Sequence, residues 1–247
     1  MRATPFFSGD VLALSLTIPA GAQSSDGDSF RGRGQIPGPG EPEPQLTQTV
    51  RRNFSVGTLL GFQAGFSLQA FGRLENFAQG FPLQARFRIA RTSVEPGSAP
   101  AARKIFINDA TNGTPRESGS TLDIGLDGLY PMGARTHLYG GVRYTRFKAN
   151  FKYVGGNEDF DVTSSHWGLA GGMEAEFPMS RRTSLLVSGG AEYFFSSRLT
   201  GHDTSYSPDG DNVNPRKEYT YTDADDAVDQ PVLRPVVLLG VSYSLGG

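Results

Sequence analysis

The 247-residue chain has no cysteine, a single tryptophan and three histidines, and its formal net charge is −2. Without cysteine, neither a disulfide framework nor a thiolate metal site can form. The lysines and arginines form no cluster, so neither nucleic acid nor an acidic membrane surface is indicated as a partner. No uninterrupted aliphatic run approaches the roughly 18 residues of a transmembrane helix. If the chain crosses a membrane, it therefore crosses with β-strands.

What the chain has instead is glycine, 32 residues of it, together with 11% aromatic residues and segments of alternating polarity. In the segment 167–177, side chains with a period of two separate into two faces. One face is apolar and begins and ends in an aromatic ring, and the other carries small residues and two glutamates: Trp167, Leu169, Gly171, Met173, Ala175 and Phe177 against Gly168, Ala170, Gly172, Glu174 and Glu176. A strand of this length covers about 33 Å, or about 25 Å of height when tilted by about 40°, which is the lipid-facing band of an outer-membrane barrel.

The same alternation recurs in other segments. Glu192 lies on the mixed face of the segment 185–196, Arg86 and Arg88 on the polar face of 81–91, and Asp123 and Asp127 on that of 120–130. In the segment 137–154 the pattern changes phase near Arg146, which predicts either a bulge there or the exit of the strand from the membrane. These patterns predict apolar side chains outward and polar ones inward.

The N-terminus has the composition of a targeting segment. Arg2, an apolar core at 11–18 and the small residues of Ala20-Gly21-Ala22 predict a secretory signal peptide, residues 1–22, cleaved after Ala22. The Gly/Pro-rich residues 23–48 cannot bury a core and are interpreted as a linker. Residues 49–247 then form one domain.

Connection lengths set the topology. The turns at 131–136 and 178–184 are short, whereas 93–120 and 199–231 are long and polar, the asymmetry of periplasmic turns and extracellular loops. Counting strands gives seven: 54–74, 81–93, 120–130, 137–154, 160–177, 183–198 and 233–245. Since an even number is expected, an eighth is predicted within 45–60 or in the acidic loop around 217–223. The predicted fold is all-β, an antiparallel up-and-down transmembrane β-barrel of eight strands.

With its signal peptide, its alternating strands joined by short turns and its ending on "GVSYSL", the chain resembles the small outer-membrane β-barrel proteins of Gram-negative envelopes, the OmpA/OmpX-like group. The resemblance covers residues 50–247. A family strand closes on a terminal aromatic residue, whereas here Leu245 is followed by two glycines. The resemblance implies residence in the cell outer membrane, contact with outer-membrane lipid and lipopolysaccharide, and insertion by the barrel-assembly machinery.

The inward charges are the principal candidate site. Because an eight-stranded barrel holds only side chains in its interior, charges survive there by pairing. Strand pairing about the short turns predicts Arg143 opposite Ala170 or Gly171, at the height of Glu192, and the other inward charges in the same lower half of the barrel. We predict a lumenal salt-bridge network that closes the pore: Arg86, Arg88, Asp123, Asp127, Arg143, Glu174 and Glu192. The alternative is that some of these side chains point into a wider, water-filled lumen.

Two other clusters contain residues that could bind a metal ion or act in catalysis. In the acidic loop 202–230, Asp209, Asp211, Asn212 and Asn214 offer oxygen ligands for Ca²⁺, although a solvated acidic loop is the simpler interpretation because the spacing is not that of an EF-hand. No other cofactor is predicted. Ser164 and His166 share a strand face and resemble part of the lipid-facing Ser, His and Glu set of the lipid A deacylase barrels, but Glu174 lies too far along the strand to orient the imidazole.

The sequence therefore predicts a non-enzymatic integral outer-membrane barrel with a largely closed lumen, or a narrow pore, and long surface loops for an unknown extracellular partner. The alternatives are a secreted lipocalin-like barrel that binds an apolar ligand and a lipid A-modifying barrel enzyme.

Overall fold

The computed structural model describes residues 53–76, 80–109, 112–202, 204–210 and 218–245. The predicted signal peptide, 1–22, and linker, 23–48, lie outside these residues. Among the described residues, no helix is long and apolar enough to cross a membrane.

The elements follow the alternating segments of the sequence. In chain order they are β1 (Asn53–Gln63), β2 (Gly65–Glu75), β3 (Gln84–Val94), α1 (Ala99–Phe106), β4 (Thr114–Pro131), β5 (Thr136–Val154), β6 (Asp159–Pro178), β7 (Thr183–Phe194), β8 (Leu199–Gly201), β9 (Thr204–Tyr206), α2 (Tyr221–Ala227) and β10 (Leu233–Ser244).

Eight of these strands close into an antiparallel barrel in the circular order β1-β2-β3-β4-β5-β6-β7-β10. The first and last strands pair with each other, with Leu60 opposite Leu239, so the ring is complete. The all-β fold and the eight strands are as predicted. The expected place of the eighth strand is wrong: the segment 54–74 is two strands rather than one, because Ala64 has a positive φ of 55° and turns the chain into a tight hairpin. Within the described part of the acidic loop, residues 221–227 are helical instead.

Along the lower part of the barrel the apolar side chains face outward. Large exposed hydrophobics occur on all eight strands, among them Phe62, Ile89, Leu169 and Val237. Aromatic side chains lie near the top of this surface, where the rings of Tyr144 and Trp167 are 5.1 Å apart. We call this outward surface the apolar belt.

The polarity of the wall inverts above the belt. β5 keeps an unbroken register with both neighbours, so there is no bulge near Arg146. Inward side chains change from Arg143 and Thr145 to Phe147 and Ala149, while the outward ones become Arg146 and Lys148. The phase change in the sequence therefore agrees with the second alternative, the exit of the strand from the membrane, because the outer surface becomes polar at this point.

The upper half of the molecule has the apolar interior of a water-soluble domain. The long strands β4, β5 and β6 extend above the belt, and β8 and β9 add to β6. The two loops predicted to be long and polar fold inward here and form helices. Ser98 N donates to Ala227 O at 2.9 Å, which joins the loop of α1 to the end of α2. We call this region the extracellular lid; its buried core includes Ala102, Phe106, Phe147, Phe151, Phe160, Val162, Leu199, Tyr206, Ala224 and Val228.

Candidate functional site: the charged interior of the barrel

Five arginines and four carboxylates are buried inside the barrel at the level of the apolar belt. Arg143 and Glu174 have no exposed surface, and the others are at most 4% exposed. Their strands place them inward by the same alternation that points apolar residues outward. The arginines are Arg73, Arg86, Arg88, Arg143 and Arg234, and the carboxylates are Asp123, Asp127, Glu174 and Glu192.

The lowest group of charges is centred on Glu174. Arg86 Nη1 lies 2.5 Å from Glu174 Oε2, and Arg73 Nη1 lies 3.4 Å from Glu174 Oε1. Arg86 also pairs with Asp127 at 3.0 Å, and Arg73 pairs with the half-buried Glu176 at 2.8 Å. The guanidinium of Arg86 is 5.2 Å from the centroid of the Tyr139 ring. Each charge of this group therefore has an opposite charge in contact, as burial requires.

The middle group is centred on Glu192. Its carboxylate accepts hydrogen bonds from Arg88 Nη2 and Gln63 Nε2, and from Arg143 Nε at 2.9 Å. Arg143 also contacts Asp127 Oδ1 at 2.5 Å, which connects the middle group to the lowest one. Glu192 is therefore the shared acceptor for two arginines, not the partner of one.

A third pair lies higher. Arg234 Nη1 contacts Asp123 Oδ1 at 3.1 Å, and the guanidinium of Arg234 is 4.7 Å from the centroid of the Phe194 ring. Asp123 is therefore above the group in which the sequence placed it, because β4 descends from the lid and Asp123 precedes Asp127 by four residues, about 13 Å along the strand.

Several of these ion pairs cross the interior completely. The partners of Arg73–Glu174, Arg88–Glu192 and Arg234–Asp123 lie on strands four places apart in a ring of eight, which are diametrically opposite. Side chains can meet across the ring only if little space separates them.

Glycines make room for the charged side chains. A Cβ atom added to Gly125 would lie 2.8 Å from Arg143 Nη1 and 2.9 Å from Arg88 Nε, and one added to Gly141 would lie 2.5 Å from Asp127 Oδ1. Each added Cβ would force the neighbouring charged side chain to move, and the one at Gly141 would also overlap the backbone oxygen of Leu126, so these inward glycines leave room for the charged groups where they lie. This close packing accounts for part of the high glycine content.

All seven predicted network residues lie in the interior and contact an opposite charge. The predicted register between β5 and β6 is wrong by two to three residues, since Arg143 pairs with Gly168. The predicted register between β6 and β7 is right, since Ala170 pairs with Glu192 and Gly171 with Ala191. Arg143 still contacts Glu192 because its long side chain spans the offset.

The predicted network does not include Arg73, Gln63 and Arg234, and it leaves out Glu176 although that residue is predicted on the polar face of its strand. The signal was present, since Arg234 alternates with Val236 and Leu238 on the inward face of β10. The inward position of Arg73 does not follow when 54–74 is treated as one strand, because the turn at Ala64 separates two strands with their own alternation.

The serine and histidine considered for catalysis lie inside the wall, at 4% and 1% exposure. Ser164 Oγ is 2.7 Å from His166 Nε2, and His166 Nδ1 is 2.9 Å from the backbone oxygen of Phe195. Because a carbonyl only accepts, Nδ1 carries the proton and Nε2 accepts from the serine hydroxyl. The pair thus faces the interior, with a carbonyl in the place where the barrel deacylases have a carboxylate.

Of the residues proposed for Ca²⁺, Asp209 is exposed, and Asp211, Asn212 and Asn214 lie outside the described residues. The described part of the chain holds no group of three or more acidic, histidine or cysteine side chains suited to a metal ion. Calcium binding by this loop stays a prediction.

No protein-family model matches the chain, and no curated protein matches it. Among solved structures, it is similar to a major outer membrane protein from Thermus thermophilus, with 24% identity over 78% of this chain and 99% of that one, at a TM-score of 0.63. It is also similar to Ail, the attachment invasion locus protein of Yersinia pestis, with 15% identity over 78% and 97% of the chains and a TM-score of 0.38. CarO2 of Acinetobacter baumannii matches at 10% identity over 78% and 98%, with a TM-score of 0.39.

The Thermus structure supports the comparison of folds, since it is matched over almost its whole length. Together with the closed ring of eight antiparallel strands, this similarity confirms the predicted fold: the chain has the fold of a small outer-membrane β-barrel protein.

Proposed function

We propose that the protein is an integral outer-membrane barrel without enzymatic activity, closed to solute flow, that presents its extracellular lid to partners outside the cell. The observation that carries this proposal is the inverted polarity of the wall. Side chains such as Phe62 and Val237 expose more than half of their surface outward, while fully buried arginine and glutamate fill the interior.

Insertion in a bilayer would place the apolar belt in contact with lipid. In water, contiguous apolar patches larger than a few hundred Å² are rare on monomeric proteins. Here the outward hydrophobics encircle eight strands. The strand segment Trp167–Phe177 spans about 25 Å of height after tilt, which matches the apolar band of outer-membrane barrels.

A closed interior is supported by the ion pairs between diametrically opposite strands and by the glycines that admit them. Arg88 reaches Glu192 across the ring, and a methyl group at Gly125 would displace the guanidinium groups of Arg88 and Arg143. Above them, the apolar core of the lid covers the upper opening with residues such as Phe147 and Phe151. We infer that ions do not pass.

The two alternatives have less support. A lipocalin-like carrier needs an apolar cavity, but the interior at the level of the belt is filled by charged groups such as Arg143 and Glu192. A lipid A-modifying enzyme needs a catalytic group that a lipid can reach, whereas Ser164 and His166 face inward and are buried.

Membrane insertion is tested by fractionation and by gel mobility. The barrel should sediment with the outer membrane, resist extraction by alkaline carbonate and migrate faster on an SDS gel when it is not boiled. Recovery of the folded protein in the periplasm or the medium would contradict the proposal.

Closure is tested separately in planar bilayers. The inserted wild-type barrel should give no large, stable single-channel current. A Glu192→Ala variant, which leaves Arg88 and Arg143 without their shared acceptor, is the matched variant in which fluctuating conductance is expected. Large, stable currents through the wild type would favour a porin instead.

A further inference from the structure

Two outward arginines lie at the upper edge of the apolar belt, where lipid-facing strands should carry no unpaired charge. Arg91 on β3 and Arg146 on β5 are both exposed and lie in one cross-strand row, each directly opposite Leu122 of β4. Two strand spacings separate them, which is about 9–10 Å between Cα atoms. They therefore flank a single leucine on the outer surface.

Among the described residues, neither arginine has a carboxylate within ion-pair distance. Two outward lysines on this side are neutralised: Lys148 pairs with Asp161 at 2.7 Å and Lys152 with Asp159 at 3.3 Å. An unpaired guanidinium on a lipid-facing strand is costly near the bilayer midplane and tolerable at the interface, where anionic head groups lie.

Two adjoining depressions, which together form a groove, lie on the wall beside Arg91, one above this row and one below it, while Arg146 lies beyond Leu122 and lines neither. The upper part of the groove is a depression of about 430 Å³ lined by Arg91 and by the polar Ser93, Ser118 and Ser120, with Phe66 and Leu68 at its side. Its lower part, of about 270 Å³, shares Arg91 and Leu68 and is otherwise lined mainly by apolar groups, including Ile89, Ala70 and Leu122. The groove is therefore cationic and hydroxyl-rich at the top and apolar below.

This gradient matches one kind of molecule, an anionic lipid with its head at the membrane surface and its chains directed toward the midplane. Phe66, Leu68 and Leu122 expose 65%, 56% and 47% of their surface and would contact acyl chains. Guanidinium groups bind phosphate oxygens through charge-assisted hydrogen bonds, and serine hydroxyls can donate further ones.

We propose that this groove is a binding site for a diphosphorylated outer-leaflet glycolipid of the lipid A type, held through its phosphates by Arg91 and Arg146. Two cations on separate strands fit a head group with two phosphates better than a phospholipid head group with one. The site lies at the end of the barrel that carries the lid, which is the outer-leaflet side. The inference rests on the proposed insertion of the barrel in the outer membrane.

The test uses the full barrel reconstituted in nanodiscs of phosphatidylcholine with a minor fraction of diphosphoryl lipid A. Lipids that remain bound after release from the nanodisc are counted by native mass spectrometry. Wild type should retain lipid A, and Arg91→Gln with Arg146→Gln should reduce retention by about tenfold or more, since both charge-assisted contacts are lost. The charge-preserving pair Arg91→Lys with Arg146→Lys should retain part of the binding.

The matched control is Arg116→Gln. Arg116 is an exposed outward cation on β4, higher than the groove and opposite Lys152. Its removal changes the net charge without touching the site, so retention should stay at the wild-type level. Equal losses in the control and in the double variant would mean that net charge alone attracts the lipid and would overturn the proposal.

Two further outcomes would overturn it. Nanodiscs with phosphatidylglycerol in place of lipid A should give little retention, and equal retention of both lipids would assign the site to anionic phospholipid in general. Unchanged lipid A retention in a double variant that is inserted and resistant to SDS would refute this inference alone. A wild-type barrel that fails to insert would refute the proposed function as well.

Discussion

Removing the carboxylate of Glu192 is the sharpest perturbation of the interior. The conservative variant is Glu192→Gln, which keeps the size of the side chain and removes its charge. Arg88 and Arg143 then remain buried without the negative charge they share, because the amide keeps only one acceptor oxygen, and Gln63 loses its carboxylate partner. Asp127 still contacts Arg143 at 2.5 Å, so Arg88 is the arginine that loses its contacting carboxylate.

The magnitude follows from this geometry. Breaking a buried ion pair by removing one partner costs about 3–5 kcal/mol, since the remaining charge stays desolvated. We expect Glu192→Gln to lower the free energy of unfolding by about this amount. Adding Arg143→Met should restore a part of it, with a coupling energy of about 1–3 kcal/mol between the two sites. Full recovery is not expected, because Arg88 is still unpaired.

The assay is equilibrium unfolding by urea in phosphatidylcholine vesicles. Trp167 is the only tryptophan of the chain and exposes 62% of its surface at the upper edge of the apolar belt, so its fluorescence reports transfer between lipid and water. Ser188→Ala, a change at another inward residue, is the control and should be mild. If Glu192→Gln were neutral, or if the coupling with Arg143→Met fell below about 0.5 kcal/mol, the argument for a shared acceptor would be refuted.

Three other predictions concern the wall and the lid. Val187→Lys places a cation on the lipid face and should disfavour insertion by about 2–4 kcal/mol near the midplane, measured in the same vesicles, with the mild Ser188→Ala again as control. Phe151→Ala should destabilise the lid by about 3–5 kcal/mol, seen as faster hydrogen exchange and proteolysis of the lid while the barrel keeps its SDS resistance. The pKa of Asp223 lies below its ordinary value because the Thr220 hydroxyl and backbone N–H donate to its carboxylate. The stabilisation of α2 by this cap is therefore fully present above the ordinary pKa of an aspartate, and it is lost as the pH falls through the lowered pKa of Asp223. Thr220→Ala should raise the midpoint of Asp223 in an NMR titration, and an unchanged midpoint would contradict the cap.

Strand identity and facing could be predicted because alternation is a local property. The inward position of Glu174 and the outward position of Val187 follow from parity alone, once polar-in and apolar-out is assumed. The hairpin at Ala64 could not be predicted in the same way. The position with positive φ holds alanine, and the glycine of this turn, Gly65, follows it, so the turn lacks the usual glycine or asparagine at the position that needs it.

The sequence predicts which charges face inward better than it predicts which of those charges form ion pairs. Pairing across the ring depends on the stagger between strands that closure imposes, and this property belongs to the whole barrel. The partners of Arg88 and Arg234 therefore lie on strands far away in sequence. The lid was also missed, because the residues that complete its core, such as Phe106 and Val228, come from loops whose overall composition is polar.

The ion pairs that cross the ring constrain the order in which the protein can assemble. Arg88 and Glu192 are 104 residues apart, Arg234 and Asp123 are 111 apart, and β1 finds β10 only when the whole chain is present. Until then the charged face of the curved sheet is open, and moving it into hydrocarbon would leave Arg88 and Arg234 without a contacting carboxylate. Water must stay in contact with that face until the barrel closes. Closure and the loss of interior water should therefore occur as one late, cooperative event. A folding intermediate that is already deep in the bilayer but still open is therefore the species that this architecture makes least populated.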